Sequence, residues 1–392
     1  MSERDAIISG IGQSAVGRRL NRHPLDLTIE ASLTAIRDAG LTPGDIDGLA
    51  TYPGGMIGNR DGFPGPGTPA VQDALRLRLN WHSGGGEGPA QLTPIVSAVM
   101  AVSMGLARHV LTYRTVTEAT AQGAGRRQAI GAGATDIDGA MQWSLPFRAM
   151  SAANWFGLQA QRHFHEYGTT REQMGQIALN ARRNAALNDA ALFRDPMTLD
   201  DYLAARVIST PFGLFDCDVP CDGSTVVIVS AVDHAPHVDH AVARFEAVGS
   251  ALTGRPSWDQ RADLTTMAAN DAAAQMWTRT DLRPADVDVA ELYDGFTWLT
   301  MCWLEALGFC GKGESGPFIE DGKRIGLDGE LPLNTHGGQL SAGRLHGFGF
   351  VHEAVTQLRG EAGARQVPDA EVAVVANGGG PLGGAVLLSR LA

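Results

Sequence analysis

A repeated block divides this chain of 392 residues into two related parts. The segment LTPGDID at residues 41–47 recurs as LRPADVD at residues 282–288, and Tyr52 in the first copy corresponds to Tyr293 in the second. A helical pattern precedes each copy and an apolar strand pattern follows its turn. Internal repetition of this kind predicts two structural units of the same type.

A second pair of segments occurs in the same order. The sequence HSGG at residues 82–85 precedes a long apolar helical pattern and a strand at 110–113, whereas THGG at 335–338 precedes a helix near 350–358 and a strand at 372–375. Strands that alternate with helices predict an α/β fold. We expect two duplicated βαβαβ-type halves, residues 1–245 and 246–392, each with a mostly parallel sheet. The first half carries a helical lid or loop insertion at about 114–205.

The charge of the chain argues against nucleic acid as a partner. Lys and Arg total 31 against 43 Asp and Glu, which gives a net charge of −12, and such a field repels phosphate backbones. No apolar run reaches the length of a membrane span, and the N-terminus lacks the pattern of a secretory signal. We therefore expect a cytoplasmic protein without a membrane span.

The cysteines indicate neither a metal site nor a disulfide framework. Cys217 and Cys221 are separated by three residues and Cys302 and Cys310 by seven, spacings that fit a zinc ribbon or a secreted scaffold poorly. The sequence predicts no metal site, and buried thiols in a reducing compartment.

A glycine-rich segment at residues 377–385 follows the last apolar strand pattern. Glycines after a strand allow backbone N–H groups to approach a ligand and hold an oxyanion. A dinucleotide fingerprint would stand near the start of a βαβ unit, so this position disfavours a Rossmann site. We interpret the segment as part of an oxyanion hole, with a plain tight turn as the alternative.

Together these segments resemble the thiolase superfamily. The resemblance rests on ELYDGFT at 291–297, NTHGG at 334–338 with the residues up to Gly347, the glycines at 378–380 and the duplicated halves. It is closest to the sterol-carrier-protein-X and lipid-transfer-protein branch and extends over essentially the whole chain. It implies a thiolase-like fold with α/β/α/β/α layers, and a homodimer.

The chain departs from thiolases at the catalytic positions. Residues 84–89 contain no cysteine where thiolases are acylated, and Ala376 replaces their second cysteine. Arg344 and Tyr293 replace the two motif histidines. Claisen chemistry through an acyl-enzyme requires a thiolate. The motif Tyr-Asp-Gly-Phe at 293–296 instead resembles the side-chain-cleaving aldolases of bacterial steroid degradation, some of which have a catalytic tyrosine at the position of Arg344.

This resemblance implies retro-aldol cleavage of a bulky, steroid-derived β-hydroxyacyl-CoA to a ketone and a short acyl-CoA. The reaction needs a base, an oxyanion hole and a proton donor, but no covalent intermediate. We assign Tyr293 as the acid–base group that faces the hydroxyl and expect the charge of Arg344 to lower its pKa. His346 is the candidate proton donor or relay.

The resemblance also implies the binding groups and partners. Backbone N–H groups near Gly88 and Gly378 are the candidates for the oxyanion hole, and Gly338 and Ser341 join them as candidate acyl-CoA-binding residues. No cofactor is expected beyond the coenzyme A of the substrate. The related aldolases work with a small zinc-ribbon/OB-fold protein, which implies a heterotetramer built on the homodimer.

Other interpretations of the same residues remain open. Tyr293 can cap a buried strand end, Asp294 a helix, and His346 can be a core histidine; Arg344 can be an ion-pair partner or a clamp for a CoA phosphate. The whole chain can also be a thiolase with a displaced nucleophile, or a non-catalytic lipid-binding subunit.

Overall fold

The computed structural model describes residues 2–53, 61–85, 90–125, 141–149, 151–252 and 261–391. The strands in these ranges are β1 (Ala6–Gln13), β2 (Gly48–Thr51), β3 (Trp81–Gly84), β4 (His109–Thr117), β5 (Val207–Ser209), β6 (Phe212–Gly213), β7 (Asp222–Ala231), β8 (Val242–Leu252), β9 (Val289–Leu292), β10 (Val372–Gly379) and β11 (Leu382–Leu391). The helices are α1 (Pro24–Asp38), α2 (Thr68–Leu75), α3 (Thr93–Ser103), α4 (Glu118–Gly123), α5 (Met141–Ser144), α6 (Ala152–Tyr167), α7 (Arg171–Ala186), α8 (Leu199–Ala204), α9 (Ala268–Trp277), α10 (Thr297–Ala306), α11 (Ser315–Ile319) and α12 (Gly347–Arg359).

Nine of the described strands form one mixed sheet in the order β3-β2-β4-β7-β1-β8-β11-β10-β9. Strand β2 pairs in parallel with β3 and β4, and β9 with β10. The other pairs of this sheet are antiparallel. The prediction of mostly parallel sheets is therefore wrong. A short turn joins β10 directly to β11, and such a hairpin reverses the direction of the chain.

The two halves repeat one another in the order of their elements. The first contains β1-α1-β2-β3-α3-β4-β7 and the second β8-α9-β9-α12-β10-β11. Asp47 accepts two backbone hydrogen bonds at the start of β4, at 2.8 and 3.0 Å, and Asp288 accepts two at the start of β10, both at 2.9 Å. This shared anchor explains why the aspartate of the sequence repeat recurs. The predicted division after residue 245 falls inside β8 and stays a prediction.

The three largest apolar clusters of the described residues lie between the helices and the strands. Helices α1 and α2 pack on one face of the first-half strands. Helices α3 and α12 lie between the strands of the two halves. Helices α9 and α10, with α6 and α7 from the insertion, cover the outer face of the second-half strands. The predicted α/β/α/β/α architecture is confirmed.

The insertion is helical, as predicted, and its helix α7 supports the site. Thr170 caps α7 by accepting a hydrogen bond from the N–H of Gln173 at 3.2 Å. The side chain of Arg182 on α7 then donates to the hydroxyl of Ser341 at 3.0 Å, and Asn184 donates to the carbonyl of Leu333 at 3.0 Å. The insertion thus fixes the segment that carries the second-half sequence motif.

None of the helices in the described ranges combines the length and apolar content that a membrane crossing requires.

Candidate active site

Tyr293 stands at the end of β9, where the strand leaves the sheet. Its N–H donates to the carbonyl of Ala376 in β10 at 2.9 Å, which continues the strand pairing by one residue. Its partly buried ring meets the ring of Phe350 edge-on, with centroids 6.4 Å apart. The strand end and helix α12 together therefore fix the position of this phenol.

The phenol of Tyr293 keeps its proton at neutral pH. Burial raises its pKa, and the charge of Asp218 raises it further, whereas the side chain of Gln91 and the charge of Arg344 lower it. The effect of Arg344 expected from the sequence is thus present but outweighed. In this site Tyr293 acts first as a hydrogen-bond donor.

Arg344 lies between two carboxylates. Its Nε and Nη2 contact Glu118 Oε2 at 2.9 and 2.8 Å, and its Nη1 contacts Asp218 Oδ1 at 2.8 Å. Burial alone would lower the pKa of Arg344, but the charges of Asp218 and Glu118 raise it above its usual value. The guanidinium is therefore occupied by protein carboxylates, as in the ion-pair interpretation, and it links α4 to the segments around residues 218 and 344.

His346 is buried at the N-terminus of α12 as a neutral imidazole. Its Nδ1 accepts from Arg114 Nε at 3.1 Å, and the ring of Phe63 lies edge-on to it at 5.4 Å. Burial lowers its pKa well below the usual value, and the charges of Arg114 and Arg344 add to this. A relay through His346 would therefore use the Nε2–H of a neutral ring.

Asp294, next to Tyr293, caps the turn at Gly338–Ala342. Its buried carboxylate accepts from the N–H of Gln339 at 2.8 Å and more weakly from that of Leu340 at 3.4 Å. Burial raises its pKa to about 7. Gly338 has φ +58°, and a side chain there would overlap Oδ2 of Asp294, so this position requires glycine.

The remaining predicted binding residues that the structure describes do not lie together in one glycine-rich loop. Gly378 lies within β10 opposite Gly383, and its carbonyl accepts from Trp303 Nε1 at 3.1 Å. Ser341 is buried and bonded to Arg182, as described above. Gly88 lies outside the described residues. The roles of Gly88, Gly338, Ser341 and Gly378 in binding stay predictions.

The cysteines do not provide an activated thiol. Burial raises the pKa of all four thiols, to about 12 at Cys310. The thiol of Cys217 donates to the carbonyl of Gly213 at 3.7 Å. Since the thiolate is the nucleophile in acyl transfer, these side chains are unsuited to form an acyl-enzyme.

Sequence reasoning missed the carboxylates that surround Arg344. Glu118 begins α4 and Asp218 follows β6, so each is more than a hundred residues from Arg344 along the chain. No motif connects them, and only the fold brings the three together.

Comparison with known proteins agrees with these features. The family described as "Thiolase C-terminal domain-like" matches residues 250–388. The chain is 34% identical to the steroid side-chain-cleaving aldolase of Thermomonospora curvata over 97% of both chains. It is also 34% identical to the 17-hydroxy-3-oxo-4-pregnene-20-carboxyl-CoA lyase of Mycobacterium tuberculosis, over 99% of this chain and 100% of the relative. The chain belongs to the thiolase superfamily, in its steroid-aldolase branch.

A solved structure supports the same assignment. The Ltp2-ChsH2(DUF35) aldolase matches this thiolase-superfamily chain with a TM-score of 0.86 and 32% identity, over 98% of this chain and 97% of that chain. The resemblance and the thiolase-like fold inferred from the sequence are confirmed. In this superfamily member the tyrosine of the Tyr-Asp-Gly-Phe motif follows β9, where the charges of Asp218 and Arg344 act on its phenol.

Proposed function

We propose that this chain is a carbon–carbon lyase that cleaves a bulky β-hydroxyacyl-CoA, with a steroid ring system, into a ketone and a short acyl-CoA. The observation that carries the proposal is the near full-length identity of 34% to a steroid side-chain-cleaving aldolase. The raised pKa of each cysteine supports the same conclusion, because this reaction needs no thiolate.

The proposed reaction breaks one carbon–carbon bond, and the proton lost by the hydroxyl is balanced by the proton gained by the α-carbon. The hydroxyl of the substrate loses its proton, the carbon–carbon bond breaks, and its electron pair passes into the thioester enolate. The hydroxyl carbon becomes the ketone. The α-carbon of the enolate then gains a proton, which yields the short acyl-CoA.

Tyr293 is the group that acts on the substrate hydroxyl. Because its phenol is protonated, it donates a hydrogen bond to the substrate oxygen, and it accepts the hydroxyl proton as its own proton passes to solvent water. Arg344 forms ion pairs with Asp218 and Glu118, and the charges of Arg344 and Asp218 act on the phenol of Tyr293. His346 serves as a neutral relay, and backbone N–H groups near Gly88 and Gly378 receive the enolate oxygen.

We further propose that Gly338 and Ser341 belong to the segment that receives the acyl-CoA. The substrate supplies the coenzyme A, and no other cofactor takes part. A homodimer of this chain combines with a small zinc-ribbon/OB-fold protein into a cytoplasmic heterotetramer. Support for a partner comes from the solved Ltp2-ChsH2(DUF35) aldolase, whose name joins two components.

The test is ketone release from a panel of β-hydroxyacyl-CoAs by the chain co-purified with its small partner. The panel includes 17-hydroxy-3-oxo-4-pregnene-20-carboxyl-CoA, the compound in the name of the relative from Mycobacterium tuberculosis. We expect a ketone and a short acyl-CoA in equal amounts without added coenzyme A. Products that form only when free coenzyme A is added would support a thiolase and contradict the proposal.

A further inference from the structure

A buried ionic cluster lies beside the proposed site and has no part in the roles assigned above. It consists of Glu291, His336, Glu353 and Arg365. Glu291 Oε2 lies 3.0 Å from Nδ1 of His336. Arg365 donates two hydrogen bonds to Glu353, both at 2.9 Å. The hydroxyl of Thr335 donates to Glu291 at 3.0 Å and lies 2.7 Å from Glu353 Oε1, between the two carboxylates.

The charges of this cluster balance when His336 is protonated. Arg365 compensates Glu353, which leaves His336 as the cation beside Glu291. Both carboxylates are almost fully buried, and an uncompensated charge in such a place is costly. Burial alone would lower the pKa of His336, but the charge of Glu291 raises it above the usual value.

Other charged groups that face His336 act mostly in the same direction. The carboxylates of Glu353 and Asp294 also raise its pKa. His352, on α12, interacts with it as well, but burial lowers the pKa of His352 to about 4, so it adds no charge at neutral pH. The charges around His336 therefore favour its protonated form.

The ring of His336 reaches the same region as Tyr293. Both rings meet Phe350 edge-on, His336 at 5.5 Å and Tyr293 at 6.4 Å between centroids. His336 also lines a small cavity of about 30 Å³ together with Gln339 and His346. Within the described ranges, Nε2 of Gln339 is a buried donor without a hydrogen-bond partner.

Because Nδ1 of His336 lies 3.0 Å from the Glu291 carboxylate, Nε2 is the ring nitrogen that can face a ligand. We propose that His336 is a second catalytic residue, which protonates the α-carbon of the enolate, and that Glu291 is its positioning residue. This inference rests on the proposed function. The enolate electron pair forms the new C–H bond with the Nε2 proton, the thioester carbonyl is restored, and His336 becomes neutral. His336 then regains a proton from solvent water, which has received one proton through Tyr293, so that no net proton is gained or lost.

The two histidines of the cavity thereby differ in role. Burial and the charge of Arg114 keep His346 neutral, whereas the charge of Glu291, with Oε2 3.0 Å from Nδ1, favours the protonated form of His336. A protonated imidazole is the stronger acid, so it suits the step that quenches a carbanion.

The test uses the protonation step alone, run in reverse. The complete complex is incubated with propanoyl-CoA in D2O, and deuterium in the α-position is measured by mass spectrometry. We expect exchange by the wild type and by Tyr293→Phe, which loses ketone release, and a loss of at least about 100-fold in His336→Gln. The exposed His234 provides a matched control, and we expect His234→Gln to exchange at the wild-type rate.

The pH profile separates catalysis from a structural role. Removal of the α-proton requires neutral His336, so exchange rises with pH through the pKa of His336. We expect a wild-type midpoint above 6.5 and a midpoint at lower pH in Glu291→Gln, which lacks the charge that holds the proton.

The wild-type profile needs no variant, so a midpoint at or below 6.5 overturns the inference even if either variant fails to fold. Wild-type exchange by folded His336→Gln also overturns the inference about His336. If the wild type releases ketone in that case, the proposed function still holds. A wild type that neither cleaves nor exchanges overturns both.

Discussion

The phenol of Tyr293 folds back over Gly295, two residues further along the chain. A Cβ atom on Gly295 would lie 2.8 Å from the phenolic oxygen and from two carbons of the ring. The glycine of the Tyr-Asp-Gly-Phe motif therefore makes room for the side chain of its tyrosine.

We expect Gly295→Ala to displace the phenol and to lower kcat for ketone release by about 10- to 100-fold, because a misplaced acid–base group loses most of its contribution. Steady-state kinetics and the unfolding midpoint measure the effect. Gly44, in the turn of the first sequence repeat, meets only Thr42 at 3.6 Å, so Gly44→Ala is the matched control. Equal kcat values for the two variants would show that Tyr293 needs no such space.

Arg344 should be more important for stability than an exposed arginine. Arg344→Met removes the cation that contacts Glu118 and Asp218, and breaking a buried ion pair costs about 3–5 kcal/mol. Urea unfolding at pH 7 measures this loss. The control Arg162→Met removes an exposed pair with Glu166 and should cost about 1 kcal/mol or less. Similar losses in both variants would contradict the buried arrangement.

Asp294 should make the protein less stable as the pH rises from 4 to 7. Its pKa is raised from 3.8 to about 7, so in this range the folded state holds a proton that the unfolded state has lost. Asn has no such proton. The free energy of unfolding of Asp294→Asn, relative to wild type, should therefore increase across this range by up to roughly 4 kcal/mol. If the difference in the free energy of unfolding between Asp294→Asn and wild type does not change with pH, the Asp294 carboxylate of the folded protein is charged throughout this range.

The thiols should be unreactive in the folded protein. Because burial raises their pKa values, we expect reaction with a disulfide reagent at pH 8 to be at least about 100-fold slower than in urea, with Cys310 or Cys217, the partly buried ones, reacting first. Ketone release should be unchanged in Cys310→Ser. An acyl group found by mass spectrometry on any cysteine after incubation with substrate would contradict this account.

Features of the fold that have a local sequence pattern could be predicted from the sequence. The repeated segments that end in Asp47 and Asp288 indicated the duplication. The motif that begins near Tyr293 indicated where β9 ends. The α/β/α/β/α layers were predicted from the resemblance to the thiolase superfamily. The direction of β7 and β11 was missed, because strand direction depends on how each strand enters the sheet and not on its own pattern.

The electrostatics of the site could not be predicted in this way. The pKa of Tyr293 depends on burial and on Asp218, and that of His346 on Arg114, which come from distant segments of the chain. A motif indicates which side chain is present, whereas its protonation state depends on every charge that the fold places around it.

The central claim is that the chain breaks a carbon–carbon bond through Tyr293 without a thiol. Its most direct test is the rate of ketone release, in the absence of free coenzyme A, by the wild type, Tyr293→Phe and Tyr52→Phe. Tyr52 follows β2 as Tyr293 follows β9, and its phenylalanine variant keeps the ring near Arg114. We predict a loss of at least about 100-fold for Tyr293→Phe and none for Tyr52→Phe. Wild-type turnover by folded Tyr293→Phe would contradict the account.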